Sequence, residues 1–582
     1  MNTQHYREVF YVRKRIIAPA VLALFLVAGS AFAADVKEVY SGNGMVSSAH
    51  ELASKAGVEI LQKGGNAIDA AIATMLALNV VEPNASGIGG GGFSTIRFAK
   101  TGEVVELDYR EVAPLSATKD MYASEASKKA KESVLGGKAV GVPGIVKGIF
   151  TALDTYGTMS FAEVAAPAIR LAEEGFEVHP MQTQIITDEF EKLSKYSPDS
   201  VFLPGGLPAE TGSILKQPEL AKAFRLLASD GPDAFYNGPI GEALVAAVNR
   251  TGGAMSMEDL KNYKVIVQKP VHGTYRGYSI YSTPPASSGG THIVQLLNIM
   301  ENFPVKAMKH NSPDYLHHLA EAMKMVFADR QKYMADTAFA NVPLAGLVSK
   351  EYAKELAGKI RRYEVLKDVP AGDPWPYNDA VKKAYLGGGG NQHISTSSFS
   401  VVDAEGNIVA STNTVNYFFG SGVVVPEFGF VLNNEMDDFS QDPNSVNAPE
   451  PGKRPLSSMS PTIVLDPQGR PFMTIGAAGA MRIITAVSQI VMNVVDFGMS
   501  MDQAIEQPRI FNPAGGGKAG KLLIEEGIDT STADYLKLRG HDLEIRPFGG
   551  YFGTAQGIMF DHTKNRMNGG ADSRRLGVPV GY

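Results

Sequence analysis

Cysteine is absent from all 582 residues of the chain. This absence excludes a thiol nucleophile, a thiolate metal site and lipoprotein attachment, and it leaves no disulfide to stabilise the fold. Stability must therefore come from the core, and an apolar content of 44% is ample for a sizeable one. The length suggests several domains or one very large one.

Dense blocks of Lys or Arg are missing beyond the N-terminus, and the formal net charge is -7. Proteins that bind nucleic acids usually carry a basic patch or stripe, because they must neutralise phosphates. We therefore expect no nucleic-acid partner.

After the N-terminus, no apolar stretch is long enough to span a membrane. The N-terminus itself carries basic residues at 13–15, an apolar run over 16–28 and the small-x-small sequence AFA at 31–33. That order is typical of a signal peptide cut after Ala33. We predict a signal peptide over 1–33 and a soluble mature protein that is periplasmic or secreted, with no membrane partner.

Glycine, by contrast, is abundant, with 61 residues, above the usual fraction of about 7%. Its richest region, GIGGGGFSTIRF at 87–98, leads into an alternating strand. No GK[ST] sequence follows, so close backbone packing explains these glycines better than phosphate binding. Before them, apolar spacing predicts helices over 48–63 and 67–79, the second capped by Asn66. The middle of the chain, 145–380, is predicted to be mostly helical.

A histidine pair, His317 and His318, lies four and three residues before Glu321. Adjacent residues of a helix point in different directions, and no third ligand is spaced to complete a metal site. We therefore expect a structural role for these residues.

Four hydroxyl residues follow a glycine-rich linker and begin the sequence STSSFSVVD at 395–403. The linker, over 371–392, is rich in Gly, Pro and polar residues, and we expect it to be exposed and mobile. The stretches 399–403 and 408–415 alternate like strands, and AEGN between them predicts a hairpin turn. If Asp403 closes on residue 408, Thr396 lies opposite residue 415, to within about one residue.

No histidine is placed by the sequence to activate a hydroxyl in this cluster. A hydroxyl residue has another source of base, because cleavage of the preceding peptide bond frees its own α-amino group. Such a group has a pKa of about 7.7 to 8.0, which suits proton transfer near neutral pH. The exposed linker directly upstream fits an N-terminal nucleophile of this kind.

A longer set of motifs resembles the γ-glutamyltranspeptidase family. The C-terminal part of the chain carries TSSFSVVDAEGN (396–407), TVN (414–416), NNEMDDFS (433–440), KRPLSSMSPT (453–462) and RIIT (482–485). The part before the hydroxyl cluster carries GGNAIDAAIA (64–73), GGGGF (89–93), LDYREVAP (107–114), GVPG (141–144) and PPASSGGTHIVQ (284–295). The resemblance extends from Gly44 to Tyr582.

The resemblance implies an α/β fold of the N-terminal-nucleophile hydrolase type, a four-layer αββα sandwich made as a single-chain precursor. The precursor cuts itself between Ser395 and Thr396. The products are a large subunit, 34–395, and a small catalytic subunit, 396–582, which stay together as an interwoven heterodimer.

The resemblance also implies roles for residues around the nucleophile. Thr396 attacks the substrate, Thr414 hydrogen-bonds to Thr396, and Asn416 helps to hold the donor. The oxyanion is bound by the backbone N–H groups of Gly479 and Ala480. The family carries a Gly-Gly pair there, so the site depends on whether the second residue has a conformation that suits a Cβ. Ser398 is another departure, because the family commonly has histidine at that position.

The donor is a γ-glutamyl group, whose α-ammonium and α-carboxylate must both be recognised. By motif position, Glu435 and Asp438 bind the ammonium. Arg110 and the hydroxyls of Ser457 and Ser458 bind the carboxylate.

The reaction implied is transfer of a γ-glutamyl group from glutathione or another γ-glutamyl compound to water, an amino acid or a dipeptide, through a γ-glutamyl-threonyl intermediate. The resemblance implies that this reaction needs no metal or organic cofactor. A glutaryl acylase, a poly-γ-glutamate-processing hydrolase and a non-catalytic binding protein remain alternatives. A glutaryl group lacks the ammonium, so the presence of both Glu435 and Asp438 argues against the acylase. Self-cleavage would argue against the binding protein.

Overall fold

The computed structural model describes residues 38–378 and 395–582. The predicted signal peptide and most of the predicted linker lie outside the described residues. Residues 39–582 form one unit.

Two antiparallel sheets of seven strands each form the centre of this unit. Sheet 1 has the spatial order Val578–Gly581, Met45–Ser48, Ser397–Val402, Ile408–Thr414, Gly91–Arg97, Val104–Asp108 and Ile266–Gln268. Sheet 2 has the order Val39–Ser41, Arg566–Ala571, Thr554–Asp561, Pro471–Ala478, Thr462–Leu465, Tyr278–Ser282 and Val271–Tyr275. Short strands form three minor sheets: Ile510–Phe511 with Leu522–Glu525 and Leu543–Arg546, Ala514–Gly515 with Lys518–Ala519, and Phe176–Glu177 with Ile214–Leu215.

Helices supply the two outer layers. Those before the hydroxyl cluster are Glu51–Gln62, Ala67–Val81, Glu125–Ala130, Ile145–Tyr156, Phe161–Glu174, Pro180–Asp188, Phe190–Tyr196, Pro218–Asp230, Asp233–Tyr236, Pro239–Arg250, Met257–Asn262, Gly289–Met300, Val305–Met308, Pro313–Tyr333, Leu344–Leu347 and Lys350–Ala357. Those after it are Arg482–Val495, Met501–Glu506 and Thr530–Leu538. Single 3-10 turns occur at Gly137–Ala139, Pro204–Gly206, Trp375–Tyr377, Glu435–Asp438 and Gly550–Phe552.

The core is divided by the alternation of side chains along the strands. Phe399 and Val401 of sheet 1 face outward and pack on the helix layer that includes Ala67–Val81. Val402 faces inward, in a cluster with Ile463 of sheet 2. The outer face of sheet 2 packs in turn on a second helix layer. The order is helix, sheet, sheet, helix, which confirms the expected αββα sandwich.

Segments from both sides of Thr396 share the same sheets. Strand Ser397–Val402 pairs with Met45–Ser48, and Ile408–Thr414 pairs with Gly91–Arg97. Each of the two seven-stranded sheets therefore contains strands from both predicted subunits, and neither subunit supplies all the strands of either one.

The hairpin forms as predicted, but its register is shifted by one residue. The sequence placed Thr396 opposite Val415. In the structure Ser397 pairs with Asn413, and the same register brings Thr396 opposite Thr414. A hydroxyl therefore faces a hydroxyl.

The shift arises because Asp403 belongs to the turn and not to the strand. Its N–H donates to the carbonyl of Asn407 at 3.2 Å. Its carboxylate accepts the N–H groups of Glu405 and Asn407 at 3.0 and 2.9 Å. It also accepts the N–H of Ala67, at the first turn of a buried helix, at 2.9 Å. Asp403 thus fixes the turn and ties it to the neighbouring layer.

The glycine run of 89–92 is a close-packing element, as predicted. A Cβ on Gly90 would lie 2.0 Å from the carbonyl oxygen of Thr414. The helix predicted over 67–79 extends over Ala67–Val81, and Asn66 caps it as expected. The start of the predicted linker differs from expectation, because Trp375 is buried in the core around sheet 2.

The first histidine of the pair lies in a buried polar network. The carbonyl of Arg361 accepts a hydrogen bond from Nε2 of His317 at 2.7 Å, so Nδ1 accepts from Nε2 of His541 at 2.8 Å. Glu321 completes a group whose spacing could hold a metal ion, and sequence spacing alone missed His541. The ammonium of Lys324 pairs with that carboxylate at 2.7 Å, however. These contacts account for the group as a structural network.

No helix within the described residues is both long and apolar enough to cross a bilayer.

The role of Asp403 can be tested by substitution. Asp403→Ala removes a charged acceptor of hydrogen bonds from three backbone N–H groups, so the free energy of unfolding should fall by about 2 to 4 kcal/mol. Glu405→Ala is the matched control, since its side chain is exposed in the same turn. The measurement is urea denaturation of both variants. Equal stability of the two would contradict the role given to Asp403.

Candidate active site

Thr396 immediately precedes strand Ser397–Val402 and is only 6% exposed. Its φ of +90° is rare for a β-branched residue, so the backbone is strained at this point. Its Oγ1 lies 3.0 Å from Oγ1 of Thr414. Arg575 donates a hydrogen bond to its carbonyl oxygen. The side chain of Thr396 is therefore held by Thr414 and its backbone by Arg575.

The hydroxyl of Thr414 is itself oriented by the backbone. It accepts the N–H of Asn416 at 2.8 Å, which leaves its own proton free to donate to Thr396. Asn416 has a φ of +73°, a conformation that Asn tolerates, and its side chain donates to the carbonyl of Asn434 at 3.0 Å. The predicted Thr-x-Asn segment thus turns sharply beside Thr396.

The neighbouring serines have separate partners. Ser397 donates to Glu82 at 2.6 Å, and Ser398 donates to Gln556 of sheet 2. Ser395 is buried and makes no side-chain hydrogen bond within the described chain. Of the four hydroxyls in the cluster, the one at Thr396 faces the cavity described below.

Arg110 lies at the centre of a buried group of charges. Its side chain is 1% exposed, so it is not the surface residue that its acidic neighbours in sequence suggest. One terminal nitrogen lies 2.9 Å from Glu435 and 3.7 Å from Glu111, and the other pairs with Asp438 at 2.5 Å. Its Nε donates to the carbonyl of Pro455 at 3.3 Å.

These charges shift one another. Burial lowers the pKa of Arg110, but the carboxylates of Glu435 and Asp438 outweigh it, and the pKa lies above its usual value. Burial raises the pKa of Glu435 and of Asp438, with Arg110 opposing in both cases. Burial also raises the pKa of Glu111 to about 8. Glu435 and Asp438 carry two negative charges beside the single positive charge of Arg110, so the group can accept a second cation.

Ser457 and Ser458 also line the cavity. The hydroxyl of Ser457 accepts the N–H of Met459 at 3.1 Å. The hydroxyl of Ser458 accepts a hydrogen bond from Arg330 at 3.0 Å. Arg330 comes from helix Pro313–Tyr333 and was not found by sequence reasoning, because FADRQ resembles any helix segment with a charged face.

Gly479 and Ala480 follow strand Pro471–Ala478, with φ of +131° and +53°. Ala480 therefore occupies the left-handed region despite its Cβ, at a cost of about 1 kcal/mol. No described residue accepts a hydrogen bond from the N–H of either one. Ala480 thus keeps a backbone conformation that favours glycine, the residue that the family has at this position.

One cavity brings the predicted residues together. Of those proposed from the sequence, Gly479 and Ser395 do not line it, and the others do: Arg110, Thr396, Thr414, Asn416, Glu435, Asp438, Ser457, Ser458 and Ala480. Tyr417 also lines it and borders a second cavity of about 580 Å³. Its hydroxyl donates to Asp437, which also lines the second cavity.

This arrangement combines a buried threonine hydroxyl, a backbone N–H at Ala480 and a group of paired charges. Such a set suits acyl transfer from a donor with an amino-acid end.

Known proteins are similar to this chain in sequence and in fold. The family model for gamma-glutamyltranspeptidase matches residues 53–582. The chain is 40% identical to the glutathione hydrolase proenzyme of Bacillus subtilis (strain 168), with 97% of each covered. It is 39% identical to the acylase ACY 1 proenzyme of Pseudomonas sp. (strain V22), covering 94% of this chain and 95% of that one. A crystal structure of cephalosporin acylase from Bacillus halodurans superposes with a TM-score of 0.82 at 30% identity, over 94% of this chain and 97% of that one.

The matches span nearly the whole chain and agree with the motifs and with the αββα sandwich. The chain belongs to the gamma-glutamyltranspeptidase family.

Proposed function

We propose that this protein is a γ-glutamyltransferase and glutathione hydrolase that uses Thr396 as its nucleophile. The observation that carries the proposal is the single cavity that holds the Thr396 hydroxyl, the buried Arg110 and the two carboxylates beside it. A nucleophile and a zwitterion site in one cavity suit a donor whose acyl carbon and α-carbon are parts of one glutamyl group.

Activation begins with cleavage of the Ser395–Thr396 bond. The strained backbone at Thr396 supports this step, because cleavage releases a conformation that the intact chain adopts only at a cost. Names of similar proteins also support it, since the Bacillus subtilis relative is called a proenzyme. Cleavage frees the α-amino group that serves as the base.

Transfer then proceeds in two halves. The Thr396 hydroxyl loses its proton to the freed amine and attacks the γ-carbonyl carbon. The N–H groups of Gly479 and Ala480 stabilise the oxyanion. The leaving amine takes the proton, and a γ-glutamyl ester of Thr396 remains. Water or an acceptor amine attacks that ester, and the threonine hydroxyl is restored.

Donor recognition uses the charges around Arg110. The α-ammonium fits between Glu435 and Asp438, and the α-carboxylate is received by Arg110 with Ser457 and Ser458. Asn416 lies beside the ester position and holds the donor by its side-chain amide. The asparagine and serine contacts orient the bound donor, while the charged groups give selectivity for a donor with an amino-acid end.

The leaving or accepting group extends into the second cavity, beyond Tyr417. Its size admits amino-acid and dipeptide acceptors and γ-glutamyl donors larger than glutathione, poly-γ-glutamate among them. The acylase alternative shares the fold and the nucleophile. It differs in the donor's amino group, and the carboxylates in this cavity favour a donor that has one.

The mature enzyme is a heterodimer of residues 34–395 and 396–582 that acts in the periplasm or outside the cell. The interleaved sheets support its staying assembled, because each predicted fragment contributes strands to both sheets. The N-terminal segment over 1–33 is the export signal in this proposal.

The nucleophile assignment predicts the fate of Thr396→Ala. Scaling 62.2 kDa over 582 residues gives fragments of roughly 39 and 20 kDa for the active protein. The variant should remain one uncut and inactive chain, because both the hydroxyl and the freed base are lost. Ser400→Ala, on the same strand, should be cut normally. Electrophoresis distinguishes the two, and normal two-band processing of Thr396→Ala would overturn the assignment.

Asp438→Asn tests the ammonium site. Loss of one partner of a desolvated ion pair typically costs about 2 to 5 kcal/mol, so kcat/KM for a γ-glutamyl anilide should fall roughly 30-fold to several thousand-fold. A glutaryl anilide brings no ammonium and should lose far less. Cleavage into two chains should persist.

The ratio of kcat/KM for the two anilides is the quantity to compare. Asp437→Asn is the matched control, because that carboxylate contacts Ser133 and the Tyr417 hydroxyl instead. Its ratio should stay close to that of the unmodified protein. An unchanged ratio in Asp438→Asn would remove Asp438 from the ammonium site and favour the acylase.

The same ratio should depend on pH. Burial raises the pKa values of Glu435 and Asp438, so these groups take up protons as the pH falls, before ordinary carboxylates do. A protonated acid no longer attracts the ammonium, and the γ-glutamyl to glutaryl ratio should decrease toward acidic pH. The Thr396 amine affects both donors and cancels in the ratio. A ratio independent of pH from neutral to acidic conditions would contradict the ammonium site.

A further inference from the structure

Arg330 is a buried cation that has no ion-pair partner within the described part of the chain. It is 4% exposed, and its guanidinium lines the same cavity as Thr396. Its partners are neutral: Nε donates to the hydroxyl of Ser288 at 2.8 Å, one terminal nitrogen donates to Ser458 at 3.0 Å, and the other lies 3.5 Å from the sulfur of Met481. Among the described residues, no carboxylate forms an ion pair with it.

Such a charge is costly to bury. Isolation from water lowers the pKa of Arg330 to about 10, and the more distant Asp438 offsets this only in part. A buried arginine is normally paired with an acid, because two hydroxyls do not replace the hydration of a full charge. A cation kept in this condition beside a cavity is suited to an anion that arrives from outside.

Arg110 is in the opposite condition. Both of its terminal nitrogens contact carboxylates, Glu435 at 2.9 Å and Asp438 at 2.5 Å, and its Nε is bonded to a carbonyl. Its charge is therefore already balanced before any donor binds. Arg330 therefore adds a positive charge, beyond that of Arg110, for an incoming carboxylate.

The hydroxyl of Ser458 lies beside the Arg330 guanidinium at the same cavity. It accepts a hydrogen bond from Arg330, so its own proton is free to donate toward the cavity. Arg330 and Ser458 together present a guanidinium and a hydroxyl donor on the same wall. That pair matches the two oxygens of one carboxylate.

We propose that Arg330 contacts the α-carboxylate of the donor together with Ser458 and supplies the uncompensated positive charge of the site. Arg110 then holds Glu435 and Asp438 in place for the ammonium while it borders the same carboxylate. The inference deepens the proposed function and rests on it.

The test uses two donors that differ by the carboxylate alone. One is a γ-glutamyl anilide, and the other is the 4-aminobutanoyl anilide, which keeps the amine and lacks the α-carboxylate. Arg330→Met should lower kcat/KM for the γ-glutamyl donor by roughly 30-fold or more, and for the 4-aminobutanoyl donor by less than about fivefold. Rates without enzyme are subtracted for both donors. Lys332→Met, on the same helix and away from the cavity, should leave the ratio of the two donors unchanged.

Two further variants separate direct contact from an effect through Ser458. If Arg330 contacts the donor, Arg330→Met should still lower γ-glutamyl turnover at least tenfold when Ser458 is already alanine, by the logic of a double-mutant cycle. A loss that vanishes in the Ser458→Ala background makes Arg330 a positioning residue and overturns the proposal. Arg330→Lys keeps the charge and should restore part of the γ-glutamyl turnover lost in Arg330→Met.

Folding and function are checked in the same samples. Cleavage into two chains shows that a variant has folded. If Arg330→Met is not cleaved, the test uses Arg330→Lys instead. Its ratio of kcat/KM for the γ-glutamyl donor to that for the 4-aminobutanoyl donor should then fall, by less than is expected for Arg330→Met. Equal losses on both donors would overturn the role of Arg330 alone. Absence of γ-glutamyl turnover in the unmodified protein would instead overturn the proposed function.

Discussion

The hydrogen bond between the Thr396 and Thr414 hydroxyls is the contact on which the rest of the site depends. It exists because the hairpin register places the two residues opposite each other, and that register is fixed by Asp403 at the far end of the same hairpin. The glycine at position 90 lets the neighbouring strand approach the backbone of Thr414 closely. A reactive hydroxyl is thus positioned by a turn several residues away, through the regular geometry of an antiparallel pair.

Around that hydroxyl, the site is organised by charge balance. Two arginines and two carboxylates line one cavity, an arrangement that costs free energy unless the charges are compensated. Arg110 is compensated by the protein's own acids, whereas the described hydrogen-bond partners of the Arg330 guanidinium are hydroxyl and thioether groups. A zwitterionic donor adds one charge of each sign. Its binding can therefore complete the balance at both ends, which gives selectivity for an amino-acid group in an acyl-transfer site.

Much of this was predictable from the sequence because motifs and alternation carry local information. The hairpin, the buried helix at Ala67–Val81 and the family motifs needed no long-range contacts. The exact register did not follow, since alternation alone does not show whether Asp403 ends the strand or, as its contacts with Glu405, Asn407 and Ala67 indicate, belongs to the turn. Arg330 and His541 were missed for a related reason. Each reaches its partners through tertiary packing over long sequence separations, and neither belongs to a local pattern.

The central claim is that Thr396 carries the γ-glutamyl group during turnover, and the most direct measurement is the mass of that intermediate. The purified two-chain protein is mixed with a γ-glutamyl anilide, quenched in acid within the first turnovers and digested for mass spectrometry. The account predicts a small-subunit peptide that begins at Thr396 and is heavier by one γ-glutamyl group, attached at that residue. A γ-glutamyl group on any other residue, or an active small subunit that begins elsewhere, would contradict it.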